Sequence, residues 1–121
     1  MTKKKSVAKK RAQVVKGRGN VFADLALLDA DEALTKAELA RQIVEIIEAK
    51  ALTQARAAAA LGIDQPKVSA LVRGRLEGFS TERLVRFLNV LGRDVDIVVR
   101  RARGDAGAVG AKVGRTRVLA R

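Results

Sequence analysis

The chain has 121 residues, a length that suits one domain, and its 25 Lys and Arg outweigh 13 Asp and Glu for a net charge of +12. With no His and no Cys, it is excluded from Cys/His zinc sites, histidine-based triads, thiol nucleophiles and disulfide frameworks. The longest uncharged run is the seven residues Ala57–Ile63, too short to span a membrane, and no apolar stretch follows the basic start as it would in a signal peptide; the expected setting is the cytoplasm.

The excess charge sits at the two ends. Residues 1–18 hold eight basic residues and no acid, and residues 101–121 hold six basic residues and Asp105, whereas residues 19–100 are close to neutral. Residues 1–19 are expected to form a flexible basic arm. Residues 101–121, with scattered glycines and little apolar surface to offset chain entropy, are expected to form a flexible basic tail. Such ends suit a phosphate-rich partner.

Between the arms, residues 20–100 read as a helical domain. Val21 to Leu28 predicts a short helical turn. Asp29 and Glu32 have the spacing of a capping box, which predicts a separate helix over about 31–50. Its buried stripe is Leu39, Ile43, Ile46 and Ile47. Thr53 is a suitable N-cap for a helix over Gln54–Leu61, which Gly62 ends. Asp64 caps the next helix, with Pro66 in its first turn, running to Val72 and stopping at Gly74. Ser80 caps a last helix, with Phe79 and Leu84 placed as a hydrophobic staple. Its stripe is Leu84, Phe87, Leu88 and Leu91, and Gly92 follows its end. The period then changes. Val95, Ile97 and Val99 alternate with Asp96, Val98 and Arg100, which predicts a short strand over 95–100.

The informative stretch is Leu52 to Gly74. Two short helices meet at a glycine turn, and Ala58 is small enough for the helices to cross closely. Gly62 tolerates a positive φ, and Ile63, Val68 and Leu71 anchor the second helix. This is the pattern of a helix-turn-helix, whose second helix enters the major groove of DNA with its N-terminal residues at the base edges. An ordinary helical hairpin has no need of the polar cluster Gln65, Lys67 and Ser69. Charge agrees: residues 19–49 are net acidic and residues 50–93 net basic. Arg73 and Arg75, just past the recognition helix, are placed to meet phosphates, and Arg83 and Arg86 are weaker candidates. Three Phe with no Trp or Tyr argue against a stacking platform for single strands.

With its flanks, Val21-Phe22-Ala23-Asp24-Leu25, Lys36 to Ala40, Leu52-Thr53-Gln54, Gln65 to Ser69, Arg73-Gly74, Gly78-Phe79-Ser80 and Asp94 to Ile97, this stretch resembles the Cro/lambda-repressor-like (XRE) helix-turn-helix proteins, above all the HigA-type antitoxins. The resemblance implies an all-α, five-helix lambda-repressor-like domain with a short C-terminal strand. It also implies a homodimer that binds a double-stranded DNA operator, and a RelE-like toxin neutralised by the protein. In this family the Gln that opens the second helix touches a phosphate, here Gln54. The first polar residues of the recognition helix read bases, here Gln65, Lys67 and Ser69. Gln suits adenine and Lys suits guanine, while Pro66 offers an apolar surface for a thymine methyl.

The expected function is therefore a sequence-specific repressor, the antitoxin of a toxin–antitoxin pair. The rivals are a stand-alone XRE regulator and a non-specific RNA- or nucleoid-binding protein. Neither catalysis, nor a cofactor, nor a metal is expected. Val95, Ile97 and Val99 are expected to pair with the same strand of a second copy, because the chain holds no other strand.

Overall fold

The computed structural model describes residues 21–107, 109 and 112–120. The whole of the expected N-terminal arm, residues 1–19, lies outside them. Four helices are described: α1 (Val21–Ala49), α2 (Gln54–Leu61), α3 (Gln65–Val72) and α4 (Thr81–Val90). No strand occurs among the described residues, and no helix there is long and apolar enough to cross a membrane.

Two expectations are corrected. The short turn over 21–28 and the helix over 31–50 are one continuous helix of 29 residues. Neither Gly nor Pro interrupts it, and Ala and Leu, among the best helix formers, recur throughout. Asp29 and Glu32 cap nothing, because a backbone N–H inside a helix already has its carbonyl partner. Five expected helices thereby become four. The strand over 95–100 is also not formed: these residues carry no regular structure. Val95 alone packs against the core, while Ile97, Val98 and Val99 are exposed. A strand needs a neighbour to take up its N–H and C=O groups, and the described chain offers none.

The chain divides into two compact units. One comprises the described residues up to Asp31 with Val99–Thr116, the other Glu32–Val98 with Arg117 onward. The second unit holds the core. Leu39, Ala40, Ile43, Ile46 and Ile47 of α1 meet Ala57, Ala58 and Leu61 of α2 and Val68 and Leu71 of α3. Phe79, Leu84, Phe87, Leu88 and Leu91 close it around α4. Ile43, Val68, Leu71 and Leu84 are almost wholly buried, each such side chain contributing about 1.5–3 kcal/mol. Phe79 and Phe87 stack edge to face at 6.0 Å. On the surface, Arg41 bonds Glu38 at 3.1 Å and pairs with Glu45. The Arg41 guanidinium holds the Glu38 carboxyl below the usual carboxylate range.

In the first unit, the buried Asp31 accepts hydrogen bonds from Arg115 Nε at 2.8 Å, Arg115 Nη2 at 2.7 Å and the Thr116 N–H at 2.9 Å.

Candidate nucleic-acid interface

The ends of α2 are fixed by local chemistry. Thr53, extended at φ −71°, accepts the Arg56 N–H at 3.1 Å. Gly62 turns the chain out of α2 at φ 72°, and Ile63 N–H returns to the Ala58 carbonyl at 3.1 Å. Two residues later α3 begins. Asp64 holds the N-cap position with φ −88°, but its side chain makes no capping bond. Its carbonyl instead accepts from Lys67 and Val68 at 3.1 and 3.2 Å. Pro66 lies in the first turn, where a missing N–H costs nothing.

Packing then decides which residues of α3 face outward. α2 packs on α3 and on α4, with Ala57 and Ala58 buried. These small side chains allow the close approach that a helix-turn-helix requires, and Ala57, fully buried, shares the role the spacing gave to Ala58. Val68 and Leu71, three residues apart, bury one stripe of α3. The rest of its first turn is left outside: Gln65, Pro66 and Lys67 are exposed and Ser69 is half-buried. Gln54, at the first position of α2, is exposed, as are Arg73 and Arg75 beyond α3. Gly74, at φ 77°, ends α3 between those two arginines, with Arg75 N–H bonded to the Ala70 carbonyl at 2.8 Å.

The state of the cations separates two groups. Arg41, Arg86, Arg101 and Arg115 are each paired with a carboxylate. Arg83 lies over the rings of Phe79 and Phe87, at 5.7 and 5.6 Å from their centres. Two weaker phosphate candidates, Arg83 and Arg86, are thus occupied within the fold. Lys67, Arg73 and Arg75 have no ion pair among the described residues. Arg56, in the first turn of α2, shares that condition, and sequence reasoning passed over it. Its signal was its place two residues after Gln54, beside the cap. No cluster of His, Cys, Asp or Glu among the described residues could hold a metal ion.

An exposed polar helix start flanked by uncompensated cations can meet base edges and phosphates together. The family described as a helix-turn-helix domain matches residues 21–100. A solved structure whose name places it among XRE family transcriptional regulators is 49% identical, covers 77% of this chain and 99% of its own, and superposes with a TM-score of 0.66. No curated protein matches. The chain belongs to the helix-turn-helix domain family. Within it, the chain falls in the XRE group of transcriptional regulators, a class of DNA-binding proteins rather than enzymes.

Proposed function

We propose that this protein is a sequence-specific double-stranded DNA-binding repressor that acts as a homodimer. The observation that carries this reading is the outward edge of α3, where Gln65, Pro66 and Lys67 stand exposed beside the unpaired Arg73 and Arg75. Gln65, Lys67 and Ser69 read bases, Pro66 meets a thymine methyl, and Gln54, Arg73 and Arg75 hold phosphates. Protection mapping on the protein's own promoter tests it. A footprint of two half-sites, tighter than binding to random DNA at physiological salt, is the expected result. Equal affinity for both DNAs overturns it in favour of non-specific nucleoid or RNA binding.

The dimer is assigned to Val95, Ile97 and Val99. Antiparallel pairing with a second copy would give the exposed residues 97–99 their missing partners and set two recognition helices about 34 Å apart. Ile97→Pro removes an N–H that such pairing needs and is expected to weaken full-operator binding while sparing a half-site. The basic residues 3–18 are assigned to phosphate contacts; removing them is expected to flatten the salt dependence of binding.

The antitoxin role rests on the resemblance to HigA-type proteins and calls for a RelE-like toxin as partner. Co-expression with the product of an adjacent gene tests it. A stable complex that suppresses RNA cleavage supports the antitoxin, and its absence leaves the stand-alone regulator.

A further inference from the structure

Within the segment Val99–Thr116 of the first unit, one short stretch is built around a cation that the fold does not use. At residues 102–105 the chain makes a tight turn, closed by the Asp105 N–H bonding the Ala102 carbonyl at 3.1 Å. Arg103 and Gly104 are its two central residues. Gly104, at φ 82°, supplies the positive φ that the third position of a type II turn demands. The Asp105 carboxylate then braces the turn from both sides. One oxygen accepts the Gly107 N–H at 3.0 Å, and the other lies 3.5 Å from Arg101 Nε. Arg101 Nη2 also donates to the Asp105 carbonyl at 3.3 Å. Ala102 is half-buried, with Gly114 beside it.

The one acid of this stretch is thereby committed to the turn itself. Arg103, at the tip, is exposed and has no ion pair among the described residues. Residues 102–107 read Ala-Arg-Gly-Asp-Ala-Gly. Apart from Arg103 and the tethered Asp105, no side chain there exceeds a methyl group. The tip is therefore slim backbone carrying a single guanidinium. The minor groove of duplex DNA, about 6 Å wide, excludes a helix but has room for such a tip. Its negative potential draws arginine inward, most strongly where A-tracts narrow it. We propose that the 102–105 turn inserts Arg103 into the minor groove of duplex DNA, with a preference for A·T-rich stretches. The proposal rests on the reading of the protein as a DNA-binding regulator, and it adds a second groove and a second kind of readout.

The chemistry sets what such a contact distinguishes. A guanidinium has only donors. The floor of the minor groove presents only acceptors at A·T pairs, adenine N3 and thymine O2, whereas a G·C pair adds the guanine amino donor. Arg103 thus separates A·T from G·C and nothing finer. Arginine is also more weakly hydrated than lysine and loses less on entering a narrow groove. A plain phosphate contact makes no such distinction between the two cations or between the two kinds of base pair. Arg100, three residues earlier, is exposed and likewise without an ion pair among the described residues, which leaves it to a phosphate.

The test uses the full chain and two duplexes of about 20 base pairs that carry no promoter sequence, one holding an A-tract and one made of G·C pairs alone. Binding is followed by fluorescence anisotropy, and helix content by circular dichroism. The wild type is expected to bind the A-tract duplex about tenfold more tightly than the G·C duplex. Arg103→Ala is expected to remove most of that preference with helix content unchanged. Arg103→Lys is expected to keep the affinity for the G·C duplex and still lose most of the preference. The double variant Gln65→Ala with Lys67→Ala, which alters only α3, is expected to retain it. A wild type without the preference, a preference that survives Arg103→Ala, or equal losses on both duplexes overturns the proposal; the last makes Arg103 a phosphate contact. Protection mapping on the protein's own promoter keeps the two readings apart. A promoter footprint with no Arg103 effect on the two duplexes sinks this proposal alone. An Arg103-dependent A-tract preference with no footprint supports it and sinks only the sequence-specific reading of α3.

Discussion

Asp31 and Arg115, 84 residues apart in sequence, meet in a two-pronged ion pair with both N···O distances below 2.9 Å. The Thr116 N–H adds a third bond to the same carboxylate. Asp31 is only 3% exposed, so its charge depends on these partners for what water would otherwise supply. The pair ties the C-terminal segment to α1 at one point. Asp31→Ala is expected to release that point, because hydrogen bonds to a charged group contribute about 1.5–3 kcal/mol. Trypsin should then cut after Arg115 and Arg117 at least tenfold faster. Arg115→Lys, which keeps the charge but loses the fork, should fall between the two.

The three helix starts with defined caps differ in a way that mutation can read. Thr53 and Ser80 each accept a backbone N–H at 3.1 Å, from Arg56 and Arg83, while the side chain of Asp64 makes no such bond. Thr53→Ala and Ser80→Ala are expected to cost about 1 kcal/mol each. Asp64→Ala should cost clearly less in the same urea titration.

The helix ends supply a second contrast. α1, α3 and α4 close with the same two returning hydrogen bonds around one residue at positive φ. Gly74 and Gly92 hold that position in α3 and α4, but in α1 it is Ala51, at φ 54°. Ala51→Gly is expected to stabilise the fold by about 0.5–1 kcal/mol, since a Cβ is penalised in that conformation. Gly62→Ala should destabilise it by about 1–2 kcal/mol. No atom lies within 4 Å of the added Cβ, so the cost would be backbone strain alone. Thermal unfolding of both variants checks the two signs.

Thr35 is buried and its hydroxyl has no hydrogen-bond partner among the described residues. Thr35→Val keeps the shape and removes the unsatisfied group. It is expected to raise stability by about 1 kcal/mol, measured as a shift in urea midpoint with an unchanged slope.

At the interface, the two kinds of contact have different signatures. Gln65→Ala or Lys67→Ala is expected to cost about 1–3 kcal/mol on the cognate site and little on random DNA. Arg73→Ala or Arg75→Ala should weaken both DNAs alike and lower the slope of log K against log[salt] by about one unit. Titrations on the two DNAs at several salt concentrations separate the signatures. Equal losses for Gln65→Ala would place that residue on the backbone instead.

Much of this molecule was legible in its sequence because the relevant forces are local. Thr53, Gly62 and Ser80 act on backbone groups within five residues, so the limits of α2 and α4 and the turn between α2 and α3 follow from residue type and spacing. The stripes Leu39–Ile47 and Leu84–Leu91 likewise follow from the helical period. Where the outcome depended on distant or absent partners, the sequence was silent or misleading. Asp29 and Glu32 have cap spacing in either context; the helix passes through them because nothing between Val21 and Ala49 stops it. Val95 to Arg100 alternates like a strand, but alternation cannot create the neighbour a strand needs. The pairing of Asp31 with Arg115 arises only when remote segments meet, whereas Arg41, Arg86 and Arg101 pair with carboxylates three or four residues away, at spacings open to the sequence. An ion pair between residues 84 positions apart has no sequence spacing to betray it, so only the tertiary structure decided that Arg115 is taken by Asp31.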